Sequence, residues 1–83
     1  MKLHVLKIKA KFFYDVRDGY KKAELRNDDR DYKVGDLIHF VDIHEKEFDV
    51  FEDNLYVITH ILRNAKEYGL QDGYAMLSLE KVK

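Results

Sequence analysis

The sequence predicts an α+β domain that is mainly β, a small bent sheet or β-barrel of about five strands with one packed helix, occupying residues 1–83 as a single domain. Three observations lead there. About five separate runs either alternate apolar and polar residues or are rich in β-branched and aromatic ones. One stretch alone, around FFYDVR, spaces its apolar residues as a helix does. The length of 83 residues allows one modest core, which short strands enclose best by curling, and curling also hides their edges.

The elements follow in order. Residues 3–9 (LHVLKIK) set Leu6 and Ile8 on one side and Lys7 and Lys9 on the other, as in a half-buried strand. KFFYDVRDG, residues 11–19, reads as a short helix with Phe12, Phe13 and Val16 on one face and Gly19 at its stop. Residues 22–26 make a second strand, with Ala23 and Leu25 as its core pair and Glu24 and Arg26 facing out or into a cleft. An acidic, arginine-bearing loop then leads through a turn at 34–36 into LIHFVDI (37–43). The polar segment 44–54, with Phe48, Val50 and Phe51 embedded, reads as a hairpin connection. LYVITHIL (55–62) is apolar on both faces and belongs at the centre of the sheet; residues 63–73 connect it to a closing strand, YAMLSLEKV (74–82).

Composition narrows the class. Hydrophobic residues are 46% of the chain and aromatics 13%, a globular and not a disordered composition. With no cysteine there is neither a disulfide framework nor a thiolate site, which suits the cytosol. Lysines interrupt the apolar residues of MKLHVLKIKAKFF too often for a signal peptide or a membrane span, so a soluble, cytoplasmic protein with no membrane partner is expected. The net charge of −1 conceals an uneven spread: residues 1–26 hold eight Lys/Arg against three Asp/Glu, and residues 27–54 hold three against ten. A strong nonspecific nucleic-acid binder would be basic throughout; a local basic face remains open.

The chemistry concentrates in GYKKAELRNDDRDYKVGD, residues 19–36. Alternation along a strand puts Glu24 and Arg26 on one face, with Lys21 able to reach around from the turn. Arginine offers a planar fork to phosphate or carboxylate, and glutamate accepts from base or amide N–H groups. A shielded lysine beside a carboxylate can also act as an acid/base group. The plainer account is a surface ion pair with no further role.

Those residues carry a resemblance. Gly19, Lys21, Glu24 and Arg26 stand as G-x-K-x-x-E-x-R, which resembles the signature of the ASCH domain (activating signal cointegrator homology) family in the PUA-like superfamily. Arg30, Asp31, Tyr32, Val34, Gly35 and Asp36 resemble the R-D-[FY]-x-V-G-D continuation of a small single-domain branch, and His4, Leu6 and Lys7 its opening H-x-L-K strand. Gly73 and Tyr74 before the last strand are similar as well, leaving 44–54 and 63–72 unconstrained. The resemblance implies a PUA-like barrel that binds RNA in a cleft lined by Lys21, Glu24 and Arg26, with Arg30, Lys7 and His4 as further RNA-binding residues, and with Gly19, Gly35 and Asp36 turning the chain. Where that branch usually reads N-D-R, this chain has Asp28, Asp29 and Arg30, which weakens phosphate attraction at the cleft mouth. Some ASCH-like proteins are amidohydrolases on acetylated cytidine or ribonucleases, so a nucleoside- or RNA-directed hydrolase with Lys21 as catalytic group is the alternative. The amidohydrolase pattern has threonine where this chain has Glu24, and a later glutamate for which Glu80 or Asp72 would have to stand.

Other features point elsewhere less sharply. The histidines at 4, 39, 44 and 60 show no H-x-x-x-H or H-E-x-x-H spacing, and no metal is expected. Lys7, Lys9 and Lys11 form either a solvated strand face or a phosphate-tracking stripe. Tyr14 and Tyr20 are expected to pack beside the helix, Tyr32 to anchor the acidic loop, and Phe48 and Phe51 to fold back on the barrel mouth. No phosphate-cradling glycine motif, nucleophile elbow or calcium loop occurs, and no cofactor is expected.

Overall fold

A computed structural model describes residues 1–44 and 54–82. The elements are β1 (Leu3–Ile8), α1 (Ala10–Arg17), β2 (Ala23–Asn27), β3 (Leu37–Asp42), β4 (Tyr56–Leu62), a 3₁₀ turn (Lys66–Tyr68) and β5 (Tyr74–Lys81). They form one curled, mixed five-stranded sheet in the order β1-β3-β4-β5-β2, a half-barrel with one helix. β1 runs parallel to β3, from Leu3 opposite Leu37 to Ile8 opposite Asp42, and the other pairs are antiparallel. The fold class read from the sequence is the fold observed. β4 stands in the middle of the strand order as its apolar run demanded.

The hairpin connection expected at 44–54, with Phe48, Val50 and Phe51, falls on 45–53, outside the described residues. Among the described residues no helix is long and apolar enough to cross a membrane.

One face of the sheet carries the core. Leu6 and Ile8 of β1, Ile38 and Phe40 of β3, Tyr56 and Ile58 of β4, and Ala75, Leu77 and Leu79 of β5 are buried against Phe13 and Val16 of α1. Phe13 meets Phe40 edge-on at 6.3 Å between ring centroids. Phe12 is 41% exposed, so the buried stripe of α1 is narrower than the sequence suggested. The β4–β5 register shifts between Ile58 and His60, and Thr59 there reaches the Ser78 carbonyl with its hydroxyl. An irregularity of this kind bends a strand and helps the sheet curl.

Two devices finish the sheet where backbone pairing stops. Among the described residues, Leu37 and Ile38 of β3 pair with β4, opposite Val57 and Tyr56. The buried Asn54 side chain then takes over: its Oδ1 accepts from Phe40 N at 2.9 Å and its Nδ2 donates to Phe40 O at 2.6 Å. A side-chain amide has the donor and acceptor of a peptide group, so it continues the ladder by one rung. At the outer edges, β1 and β2 have no ladder with each other. Instead Arg26 donates to the Lys7 carbonyl at 2.9 Å and Arg30 to the Val5 carbonyl at 3.3 Å. Guanidinium groups thus span the gap that a further strand pair would close.

The orientation of β2 corrects the sequence reading. Glu24 is 6% exposed and Leu25 58% exposed, so Ala23 and Leu25 are not a core pair. The cause is register: Glu24 lies opposite Leu77 and Arg26 opposite Ala75, both buried, whereas Leu25 lies opposite Met76. Residues paired across a sheet share a face, and β5 has the larger apolar commitment.

Candidate functional site

The helix ends where Gly19 adopts φ +84°, a conformation that suits glycine. The backbone N–H groups of Tyr20 and Lys21 both reach back to the Asp15 carbonyl, at 2.9 and 3.0 Å. This turn delivers Lys21 to the start of β2. Its Nζ lies 2.6 Å from Glu24 Oε1 and also donates to the Ala23 carbonyl. From the other side Arg26 donates to Glu24 Oε2 at 3.0 Å. The Glu24 side chain is 8% exposed, against 28% for Lys21 and 22% for Arg26. A carboxylate withdrawn from water to this degree needs charged partners to offset its desolvation, and here it has one on each oxygen. The two cations are in turn held in place, and each retains donors: lysine has three N–H groups and arginine five.

Around this triad lies a cleft of about 500 Å³. Phe12, Leu25, Ile43 and Met76 contribute apolar lining, and Lys7 and Lys9 add to the charge. Four cations therefore surround one carboxylate, in a protein of net charge −1. The mixture suits a planar, partly apolar group that carries an anion.

The sequence-derived residues divide. Lys7, Lys21, Glu24 and Arg26 are brought together in the cleft. Arg30 lies beside it, sharing a smaller hollow with Arg26, Leu25 and Tyr74. His4 is placed elsewhere. It is 3% exposed, its Nε2 is 2.9 Å from Asp36 Oδ2, and its ring packs on Tyr32 at 4.7 Å. Its position in β1 follows the same alternation that buries Leu6 and Ile8, and it does not line the cleft. Glu80 and Asp72 do not line the cleft either; Asp72 sits 3.6 Å from Lys66.

Asp36 organises the loop behind the site. Besides His4, it accepts from the backbone N–H groups of Lys2 and Lys33, each at 3.1 Å. The His4 hydrogen bond first, and then those two N–H groups, hold its carboxyl below the usual carboxylate range although burial works the other way. Arg63, just past the end of β4, ties the loop, donating to both oxygens of Asp28 at 2.5 and 3.2 Å and to the Tyr32 carbonyl at 2.7 Å. The Asp28 hydrogen bond raises the Arg63 pKa. Tyr32 does anchor the loop, 1% exposed in the core, and burial raises its phenol pKa. Tyr20, expected to pack beside the helix, is instead 84% exposed.

Among the described residues no three metal-ligating side chains converge. His39 Nδ1 bonds the Asn54 carbonyl at 2.8 Å. Phe12, Ile43 and Met76 escaped the sequence reading of the site because each belongs to a different element, and nothing local marks them as neighbours. Asp36 and Arg63 were equally hidden as partners, although Asp36 stood out as a turn residue.

A family described as a domain of unknown function (DUF3850) matches residues 3–79 of the chain. No curated protein matches it.

Proposed function

We propose that this chain, which belongs to the DUF3850 family, is a cytosolic single-stranded RNA-binding domain that receives a nucleotide in the cleft over Lys21, Glu24 and Arg26. The observation that carries this reading is the joining of apolar walls to four cations around one buried carboxylate. A base lies against the apolar lining, while its phosphate meets Arg26, Lys7 and Lys9. Glu24 keeps Arg26 aimed and offers its remaining lone pairs to a base N–H group. The resemblance of G-x-K-x-x-E-x-R to the ASCH signature supports the same reading.

The test is titration with short single-stranded RNA at moderate salt. Losing Arg26 as a charge-assisted donor removes about 1.5–3 kcal/mol, so Arg26→Ala weakens binding by roughly tenfold or more. Lys66→Ala, on the 3₁₀ turn and outside the cleft, leaves it unchanged. Equal losses in the two variants would mean a diffuse electrostatic surface, and no saturable binding would end the reading.

The alternative is a nucleoside- or RNA-directed hydrolase with Lys21 as its reactive group. One contact favours it: Glu24 at 2.6 Å is within proton-exchange range of the amine. To react, Lys21 would have to leave both Glu24 and the Ala23 carbonyl. Turnover of acetylated nucleosides or RNA that disappears in Lys21→Ala would establish this alternative.

A further inference from the structure

We infer that the RNA path continues past Lys21 into a second cleft, where the neighbouring nucleotide is held by Lys22 and stacked on Tyr20; this rests on the RNA reading of the first cleft. Lys21 lines both hollows. The second, about 480 Å³, lies between the end of α1 and strands β4 and β5. Arg17, Lys22 and Lys81 join Lys21 there, facing Asp18 and Glu80. Three of these cations are already engaged. Arg17 pairs with Asp18 at 2.9 Å and Lys21 with Glu24 at 2.6 Å. Lys81 donates to the Arg17 carbonyl at 2.9 Å, where it also offsets the negative end of the helix.

Lys22 differs. It is exposed, and its side chain makes no hydrogen bond or ion pair among the described residues. A phosphodiester can take this ammonium without displacing any contact among the described residues. Tyr20 stands just before the two lysines and is 84% exposed. Its backbone is nonetheless held, by the bond from its N–H to the Asp15 carbonyl at 2.9 Å. An exposed aromatic ring on a held backbone is a stacking platform for a base. The turn that feeds Lys21 into the first cleft thus sets Lys22 in the second, and Tyr20 immediately precedes them in the chain.

The test compares a ribonucleoside monophosphate, followed by amide NMR, with a labelled single-stranded tetraribonucleotide, followed by fluorescence anisotropy over a range of salt. The tetranucleotide is expected to bind more tightly than the monophosphate. Lys22→Ala should reduce the slope of log K against log salt by about 0.7, the value for one phosphate on a single strand. Tyr20→Ala should weaken the tetranucleotide roughly five- to hundredfold, and Tyr20→Phe should restore it, since stacking needs the ring and not the hydroxyl. Neither lysine nor tyrosine variant should alter the shifts that the monophosphate causes in the first cleft. Tetranucleotide binding that falls with Arg26→Ala but ignores Lys22→Ala and Tyr20→Ala would overturn the second cleft alone. A monophosphate weakened equally by Tyr20→Ala would overturn it too, by revealing a disturbed fold. If the wild-type protein binds neither probe, the first-cleft reading fails and takes this one with it.

Discussion

Replacing Asp36 by asparagine should destabilise the domain by about 2–4 kcal/mol at neutral pH. Asp36 is 5% exposed, and its carboxylate accepts three hydrogen bonds, one at Oδ1 from Lys2 N and two at Oδ2 from His4 Nε2 and Lys33 N. Asparagine keeps the shape but has one accepting oxygen, and its NH₂ group must face at least one of those donors. An orphaned buried donor costs about 1–3 kcal/mol, and the surviving bonds lose their charge assistance. For a domain of this size each kcal/mol moves Tm by about 4–8 °C. Urea unfolding followed by circular dichroism measures the difference directly. Its pH dependence is a second check. Because the folded Asp36 carboxyl titrates below its ordinary value, its contribution is fully present above the unfolded pKa of about 3.9 and disappears as pH falls through the folded one. The gap between wild type and Asp36→Asn should therefore start to narrow near pH 4, since a protonated aspartate resembles asparagine. A gap below about 1 kcal/mol at neutral pH, or one that stays constant into strong acid, would refute the account of Asp36 as the charged centre of this loop.

Three further outcomes follow from the same geometry. Leu25→Ala should change stability by no more than about 0.5 kcal/mol, while Leu77→Ala, fully buried one strand away, should cost about 2–5 kcal/mol; similar losses would return Leu25 to the core. Asn54→Ala strands the N–H and C=O of Phe40, so it should cost about 2–4 kcal/mol in the same urea assay, and a cost under 1 would mean that the amide is no part of the ladder. Arg63→Met removes the bonds to Asp28 and Tyr32 O, yet this side chain is 37% exposed; an expected loss of only about 1 kcal/mol should show as a small shift of the urea midpoint with unchanged m-value.

The candidate site was legible in part. Strand alternation established that Glu24 and Arg26 share a face, and they do, both paired with Glu24 at the centre of one cluster. It also assigned the opposite face to the core, because Ala23 and Leu25 are apolar and Glu24 is charged. Local hydrophobicity fails here for a definable reason. Glu24 brings its own compensation, a cation three residues before it and another two residues after it. The core face of β2 could therefore be chosen by its neighbour β5, whose Ala75 and Leu77 must be covered. His4 shows the converse. It was expected beside the motif, and its parity with Leu6 and Ile8 puts it on the buried face, where it bonds Asp36 and packs on Tyr32.

By itself the sequence determined the kind and order of the elements: the alternation of β1, the single helix ended at Gly19, the central place of β4 and the closing β5. These are consequences of short-range sterics and side-chain periodicity, which each segment carries within itself. Only the tertiary structure decided which face of β2 is buried, that Arg26 and Arg30 bridge to carbonyls of β1, and that Phe12, Ile43 and Met76 meet the charged triad in one cleft. Each depends on register between strands far apart in the chain. One-residue shifts in that register exchange the two faces of a strand, and the choice between them belongs to the packing of the whole sheet.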